Sequence, residues 1–144
     1  SMNENEAREI VNLMHIVNDI ERMADHAINI AELADVRTTG KHELSEAARD
    51  DLQKMFGEVD RISRAVLEAL GDRDVEKATC LIGEDDKVDD LEKRYRCNHI
   101  ERLNQGLCRP DVGVLFLDAV SNLERVADHA HNIAEAVADL AFSK

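Results

Sequence analysis

The sequence predicts an all-α protein, an elongated antiparallel four-helix bundle. Charged residues make up 34% of the chain and aromatic residues only 3%, and there is a single proline. Ala, Leu, Glu, Asp, Val and Arg dominate, a composition typical of long helices rather than sheets. Apolar residues also recur at steps of three and four over long segments, which is the spacing of an amphipathic helix.

The first helix is predicted over residues 3–35, and it ends before Thr38-Thr39-Gly40. The second is predicted over residues 45–70, with Ser45 as its N-cap and Gly71 at its end. In the first helix an unbroken heptad seam is expected to face partner helices. The seam consists of Leu13, Ile16, Ile20, Met23, Ala27, Ile30 and Ala34.

The third helix is predicted over residues 73–105, with Gly83 inside it and Gly106 as its stop. The fourth is predicted over residues 110–142, because Pro110 suits a first helical turn and the apolar seam of the first helix recurs after it. The loops are short, so successive helices should lie antiparallel in a bundle about 40–50 Å long. No linker composition interrupts the chain, so residues 1–144 are expected to form one domain.

A segment of thirteen residues occurs twice, as IERMADHAINIAE over residues 20–32 and LERVADHAHNIAE over residues 123–135. Ten of its thirteen positions are identical, which indicates an internal duplication. Each copy carries an acid, a second acid four residues later, a histidine and an asparagine. These residues are Glu21, Asp25, His26 and Asn29 in the first copy, and Glu124, Asp128, His129 and Asn132 in the second.

The acid pairs predict a metal site. Residues i and i+4 lie one above the other on a helix, so each pair stacks two carboxylates that repel by ~0.2–0.5 kcal/mol unless a cation intervenes. The third helix carries a further pair at this spacing, and antiparallel packing would place it beside the pair of the fourth helix. Four carboxylates suit iron, manganese, magnesium or calcium. The predicted ligands are Asp85, Asp89, Glu124 and Asp128, followed by Glu21 and Asp25.

A simpler interpretation of the acids is a solvated surface. Arg22 and Arg125 can pair at i+3 with Asp25 and Asp128, which would neutralise the pairs without a metal. The spacing also lacks the E-x-x-H pattern of a buried di-iron centre, so any site should lie near the surface. The histidines that directly follow the acids point about 100° away from them and are expected to pack or form hydrogen bonds.

Charge and motifs exclude several functions. The net charge of −13 disfavours nucleic acid and anionic membrane surfaces as partners and favours cations. No apolar run approaches the ~20 residues of a membrane span, so direct insertion is not expected. Three cysteines without C-x-x-C spacing indicate reduced thiols in the cytoplasm. Neither a nucleophile with its base nor a phosphate loop is present, so we predict no enzyme, and a metal-dependent hydrolase or oxidase is a weaker alternative.

The duplicated segments resemble the paired E-x-x-x-D helices of the PhoU family of phosphate-signalling proteins, and Asp85 and Asp89 stand where that family places another acid pair. The stretch from His99 to Glu135 resembles the PhoU-like cytoplasmic domain at the C-terminus of bacterial sodium/phosphate cotransporters. The resemblance implies three-helix repeats that bind polynuclear iron or other transition-metal clusters at their surface. It also implies regulation of phosphate uptake or signalling rather than catalysis.

On this resemblance we expect a domain excised from a longer membrane transporter, lying at the cytoplasmic face of the inner membrane with the transporter domain of the same chain as its partner. Two complete repeats need six helices, whereas four are predicted. The first E-x-x-x-D helix therefore lacks two preceding helices, Glu21 and Asp25 lack a partner within their repeat, and a homodimer could cover the exposed flank. The alternative function is a metal-free helical interaction or dimerisation module with a solvated acidic face.

Overall fold

The computed structural model describes residues 2–39 and 43–140, and within these ranges all regular structure is helical and no strand forms. The prediction of an all-α bundle is therefore confirmed. The 36-residue first helix alone extends about 54 Å at 1.5 Å per residue. In chain order the helices are α1 (Glu4–Thr39), α2 (Glu46–Asp72), α3 (Val75–Leu81), α4 (Asp85–Asn104) and α5 (Pro110–Ala138).

The helix starts follow their capping residues. The Ser45 hydroxyl accepts a hydrogen bond from the Ala48 N–H at 3.2 Å, as expected of an N-cap, and Pro110 occupies the first turn of α5.

Helix α1 ends at Thr39, four residues beyond the end predicted at residue 35. The predicted end of the last helix at residue 142 lies outside the described residues.

The prediction of one helix over residues 73–105 is wrong. A turn over residues 82–84 separates α3 from α4, and Gly83 has a φ of +92°, a left-handed conformation that a residue without Cβ adopts at little cost. The turn makes Asp85 the first residue of α4. The break therefore determines how the acids of α4 are presented to α5.

Helix α5 lies at the centre of the fold and packs against the other four helices. Its buried residues include Phe116, Val120 and Ile133, each without exposed surface. In contrast, α1 packs against α5 alone among the described helices. None of the helices described has an apolar stretch long enough to cross a lipid bilayer.

The predicted α1 seam is only partly buried. Ile16 and Met23 lie in the core, whereas Leu13 and Ile20 keep 42% and 37% of their surface exposed and Ala27 is exposed too. The prediction has this seam facing several helices, but among the described helices α5 alone covers α1, and one helix buries a narrower face than several would. That face is centred on Ile16, Asp19 and Met23, so Leu13 and Ile20 lie outside it.

Candidate metal centre between α4 and α5

Three half-buried aspartates converge where the start of α4 meets the middle of α5. Asp85 and Asp89 lie one turn apart on α4, and Asp128 faces them from α5. Each offers one carboxylate oxygen, and the three oxygens lie within 4.8 Å of one another. The structure thus brings together three of the four ligands that the sequence predicts for this site.

Glu124, the fourth predicted ligand, is one turn from Asp128 on the same face of α5. Burial, followed by repulsion from Asp128, raises the pKa of Glu124. Glu124 is therefore at the edge of the cluster, close enough to the charge of Asp128 to respond to it.

Asp89, Asp128 and the adjoining Glu124 hold their protons more tightly than ordinary carboxyl groups do. Burial, followed by repulsion from neighbouring aspartates, raises the pKa of Asp89 and of Asp128. For Glu124 the same two causes apply, burial first and Asp128 second. Such raised pKa values reflect burial first and neighbouring negative charge second, and a bound cation would stabilise the charged form of these carboxyls against both.

The neighbouring cations serve other acids. Lys87 and Arg61 form ion pairs with Glu84, and Arg96 pairs with Glu92 and donates to the Ser121 hydroxyl at 2.9 Å. Within residues 2–39 and 43–140, no lysine or arginine forms an ion pair with any of the three aspartates of the cluster. No lysine or arginine in these ranges therefore neutralises the three aspartates by direct contact.

His131 also belongs to this site, although the sequence analysis did not select it. Its Nδ1 lies 3.1 Å from Asp85 Oδ1, and its Nε2 contacts Glu135. The Gly83 N lies 3.4 Å from the same Nδ1, and apart from this imidazole no donor among the described residues lies within hydrogen-bond distance of the buried Asp85 Oδ1. The signal was present in the repeat, because His131 replaces Ile28 as the one polar difference between the copies.

The first copy of the motif forms no comparable cluster. Glu21 and Asp25 are exposed on α1, and no third acid, histidine or cysteine in the described ranges joins them in a potential ligand group. Arg22 and Arg125 do not form the predicted ion pairs with Asp25 and Asp128, so the neutralised surface of the simpler interpretation is not seen in the described part of the chain.

The histidines of the two copies hold α1 against α5 through a pseudo-twofold arrangement. His26 Nδ1 lies 3.0 Å from Asn122 Oδ1, and His129 Nδ1 lies 3.0 Å from Asp19 Oδ1. Asp19 and Asn122 are themselves 103 residues apart, the offset of the repeat. The two rings stack on the pseudo-axis with centroids 5.6 Å apart. Both histidines therefore pack and form hydrogen bonds, as expected from their direction on the helix.

Comparisons with known proteins identify relatives of this chain. The chain is 30% identical over 130 residues to the phosphate-specific transport system accessory protein PhoU homolog 1 of Thermotoga maritima, which covers 90% of the chain and 55% of the relative. It is 27% identical over 129 residues to the PhoU homolog of Deinococcus radiodurans, and that match covers 87% of the chain and 57% of the relative. It is 29% identical over 139 residues to the PhoU homolog of Clostridium acetobutylicum, and that match covers 95% of the chain and 61% of the relative.

The chain thus spans somewhat more than half the length of the curated relatives it matches. No solved structure shows significant similarity to it. The sequence profile of the PhoU domain matches residues 1–34 and 52–137, a region that includes both copies of the motif and the acids of α4. On this match, the chain belongs to the PhoU domain family.

Proposed function

We propose that this PhoU-family chain binds metal ions between α4 and α5 and regulates phosphate uptake through contacts with a transporter. The observation that carries the proposal is the convergence of three half-buried carboxylates whose oxygens lie within 4.8 Å of one another. Carboxylates held this close repel one another, and a bound metal ion would remove that repulsion. The residues present therefore fit the metal that the family resemblance implies.

The donor set limits the kind of metal. Asp85, Asp89 and Asp128 supply hard oxygen ligands, and Glu124, one turn from Asp128 on α5, is placed to add a fourth. Oxygen ligands of this kind favour iron, manganese, magnesium or calcium over soft cations. A bound ion would supply positive charge on a chain of net charge −13, and a single ion or a small iron or other transition-metal cluster would use the same carboxylates.

The regulatory role rests on the relatives. The three curated relatives described above are accessory proteins of phosphate-specific transport systems. We infer that this chain regulates a sodium-dependent phosphate transporter, as a domain of that transporter at the cytoplasmic face of the inner membrane. The stretch from His99 to Glu135, with its resemblance to the cotransporter branch, supports this assignment. The proposed activity is regulation of transport or signalling rather than catalysis.

Metal loading tests the site directly. The chain is stripped with a chelator, reloaded separately with iron, manganese, magnesium, calcium and zinc, and analysed for bound metal and for thermal unfolding. A metal present at 100 times its Kd stabilises the folded state by about 2.7 kcal/mol. The variant Glu124→Gln/Asp128→Asn should lose both the metal and the stabilisation, whereas the matched variant Glu21→Gln/Asp25→Asn should retain them at α4–α5.

The same experiment separates the proposal from its alternative. If the parent chain binds none of the metals and its unfolding temperature does not move, the metal site is rejected. The chain would then be a metal-free interaction module, which the exposed apolar residues of α1 favour. If both double variants lose the metal equally, the site does not lie where α4 meets α5.

His131 should raise the metal affinity of this site, although the site should bind metal without it. His131→Ile introduces the isoleucine that the first copy of the motif carries at this position, Ile28, and removes the ring that orients Asp85. Loss of such an orienting contact typically lowers metal affinity 10–100-fold. We expect this decrease in a competition titration, with unchanged stoichiometry. His15→Ile, an exposed change on α1, is the control. Equal affinities in the two variants would show that His131 has no orienting role.

A further inference from the structure

A histidine without a hydrogen-bond partner lies in the core, near the end of α4 that is remote from the acid cluster. The His99 side chain has no exposed surface, and neither its Nδ1 nor its Nε2 has a hydrogen-bond partner among the described residues. A buried polar group without a partner is unfavourable, whereas an apolar side chain of similar size would carry no such penalty. The imidazole is therefore unfavourable here even when neutral, and its charged form would be far less favourable.

Helix α5 fixes the His99 ring in place but offers it no charge. The ring stacks on Phe116 with centroids 5.0 Å apart, and Gly113 lies so close that a Cβ there would be 2.6 Å from Nε2. Gly113 and Phe116 have neither a charge nor a side-chain acceptor. A protonated ring would therefore find no partner on this side, and the close packing leaves it no room to turn toward another one.

The other ionisable groups around His99 also disfavour its charged form. Arg102, one turn further along α4, places its Cζ 5.4 Å from the centroid of the Phe116 ring on which His99 stacks. Asp51 of α2 accepts from Arg102 Nη1 at 3.2 Å, and Tyr95, one turn before His99, has a buried hydroxyl without a partner. No described carboxylate forms an ion pair with the His99 ring. Burial first, and the charge of Arg102 second, lower the pKa of His99.

The direction of this shift decides how acid acts on the fold. A histidine in an unfolded chain has a pKa of about 6.5, and the folded-state pKa of His99 is lower. The stabilisation that comes from keeping the ring neutral is therefore fully present above about pH 6.5. It is lost as the pH falls through the folded-state pKa, because the unfolded chain binds the proton more readily.

We propose that His99 makes the packing of α4 against α5 sensitive to acid, and that protonation of its ring opens the end of α4 over residues 95–104. Opening admits water to the ring and also to Nε and Nη2 of Arg102, which are buried without partners. The end of α4 should thus open before the rest of the bundle unfolds. His99 lies ten residues from Asp89, about 15 Å along the helix, so this response does not depend on the proposed metal site.

Nuclear magnetic resonance of the parent chain, with a chelator present, tests the local opening. The ring C–H signals of the histidines are followed from about pH 8 to 5 together with hydrogen exchange of the backbone amides. The His99 ring should stay neutral below about pH 6.5. As it protonates, the amides of residues 95–104 should lose protection before those of α2. Protonation of His99 at or above pH 6.5, or protonation that leaves the protection of these amides unchanged, would overturn the proposal.

Chemical denaturation of variants measures the same response in the whole chain. The unfolding equilibrium constant of the parent, relative to that of His99→Leu, should rise by up to about tenfold for each pH unit below about 6.5, since one proton is taken up on unfolding. The ratio cancels the contribution of the acid cluster, which both proteins share. His15→Leu, an exposed change on α1, should follow the parent. Equal pH dependence of the parent and His99→Leu would contradict the proposal, and if His99→Leu does not fold, the ring titration of the parent decides.

Discussion

Gly113→Ala should destabilise the bundle, although alanine is the better helix former. A Cβ at this position of α5 would lie 2.6 Å from Nε2 and 2.8 Å from Cε1 of the His99 ring. His99 is fully buried and stacks on Phe116 with ring centroids 5.0 Å apart, so the ring has no space into which it can move. Overpacking a core in this way costs about 1–3 kcal/mol, which exceeds the ~1 kcal/mol gained in helix propensity.

A second glycine isolates the steric effect. Gly57 lies within α2 and has no atom within 4 Å of its would-be Cβ, so Gly57→Ala should stabilise the chain by about 1 kcal/mol. Chemical denaturation of both variants gives the difference between them. The double variant Gly113→Ala/His99→Ala should lose less stability than the sum of the losses in the two single variants, because the alanine at position 99 removes the ring that clashes. Strict additivity, or stabilisation by Gly113→Ala, would contradict the close contact between the ring and α5.

The sequence predicted the helical fold and the position of the acid cluster for the same reason. Heptad spacing fixes which side of each helix faces its neighbour, and short loops fix antiparallel order. Together these two constraints predict Asp85 and Asp89 beside Asp128, and the structure has that arrangement. Whether these carboxylates bind a metal stays a prediction, which the loading experiment tests.

Other features depended on information that periodicity does not contain. The break between α3 and α4 requires a left-handed φ at Gly83, and an isolated glycine in a helical pattern does not by itself predict such a φ. The exposure of Leu13 and Ile20 reflects how many helices surround α1, whereas the pattern reports only that a face is apolar. His131 reaches Asp85 only because the break sets Gly83 and the start of α4 against α5. Tertiary arrangement decided each of these features.

Asp89→Asn should have opposite effects on stability with and without metal. In the metal-free chain, burial and repulsion from Asp128 and Asp85 raise the pKa of Asp89. A carboxyl with a raised folded-state pKa favours folding most below its unfolded pKa of about 4, and this contribution is lost as pH rises through the folded-state pKa. The amide carries no charge at any of these pH values, so the stability of the variant relative to the parent should increase as pH rises from about 4 through the folded-state pKa of Asp89.

The expected gain for metal-free Asp89→Asn at pH 7 is roughly 0.5–1 kcal/mol, since two or three like-charge contacts of ~0.2–0.5 kcal/mol each are removed. Asp90→Asn, an exposed neighbour outside the cluster, is the matched control and should show no such pH-dependent gain. Thermal unfolding at several pH values, with chelator or with saturating metal, measures both effects.

With metal bound, the parent should be more stable than Asp89→Asn. The parent would gain about 2.7 kcal/mol at 100 times its Kd, while the variant, short of one ligand, would gain much less. A reversal of this kind is typical of a binding site, because groups arranged to hold a cation repel one another when it is absent. A solvated acidic surface has no reason to show it, since exposed carboxylates are separated by water and screened by salt. If Asp89→Asn is neutral in the metal-free chain and metal leaves both proteins unchanged, the cluster is such a surface.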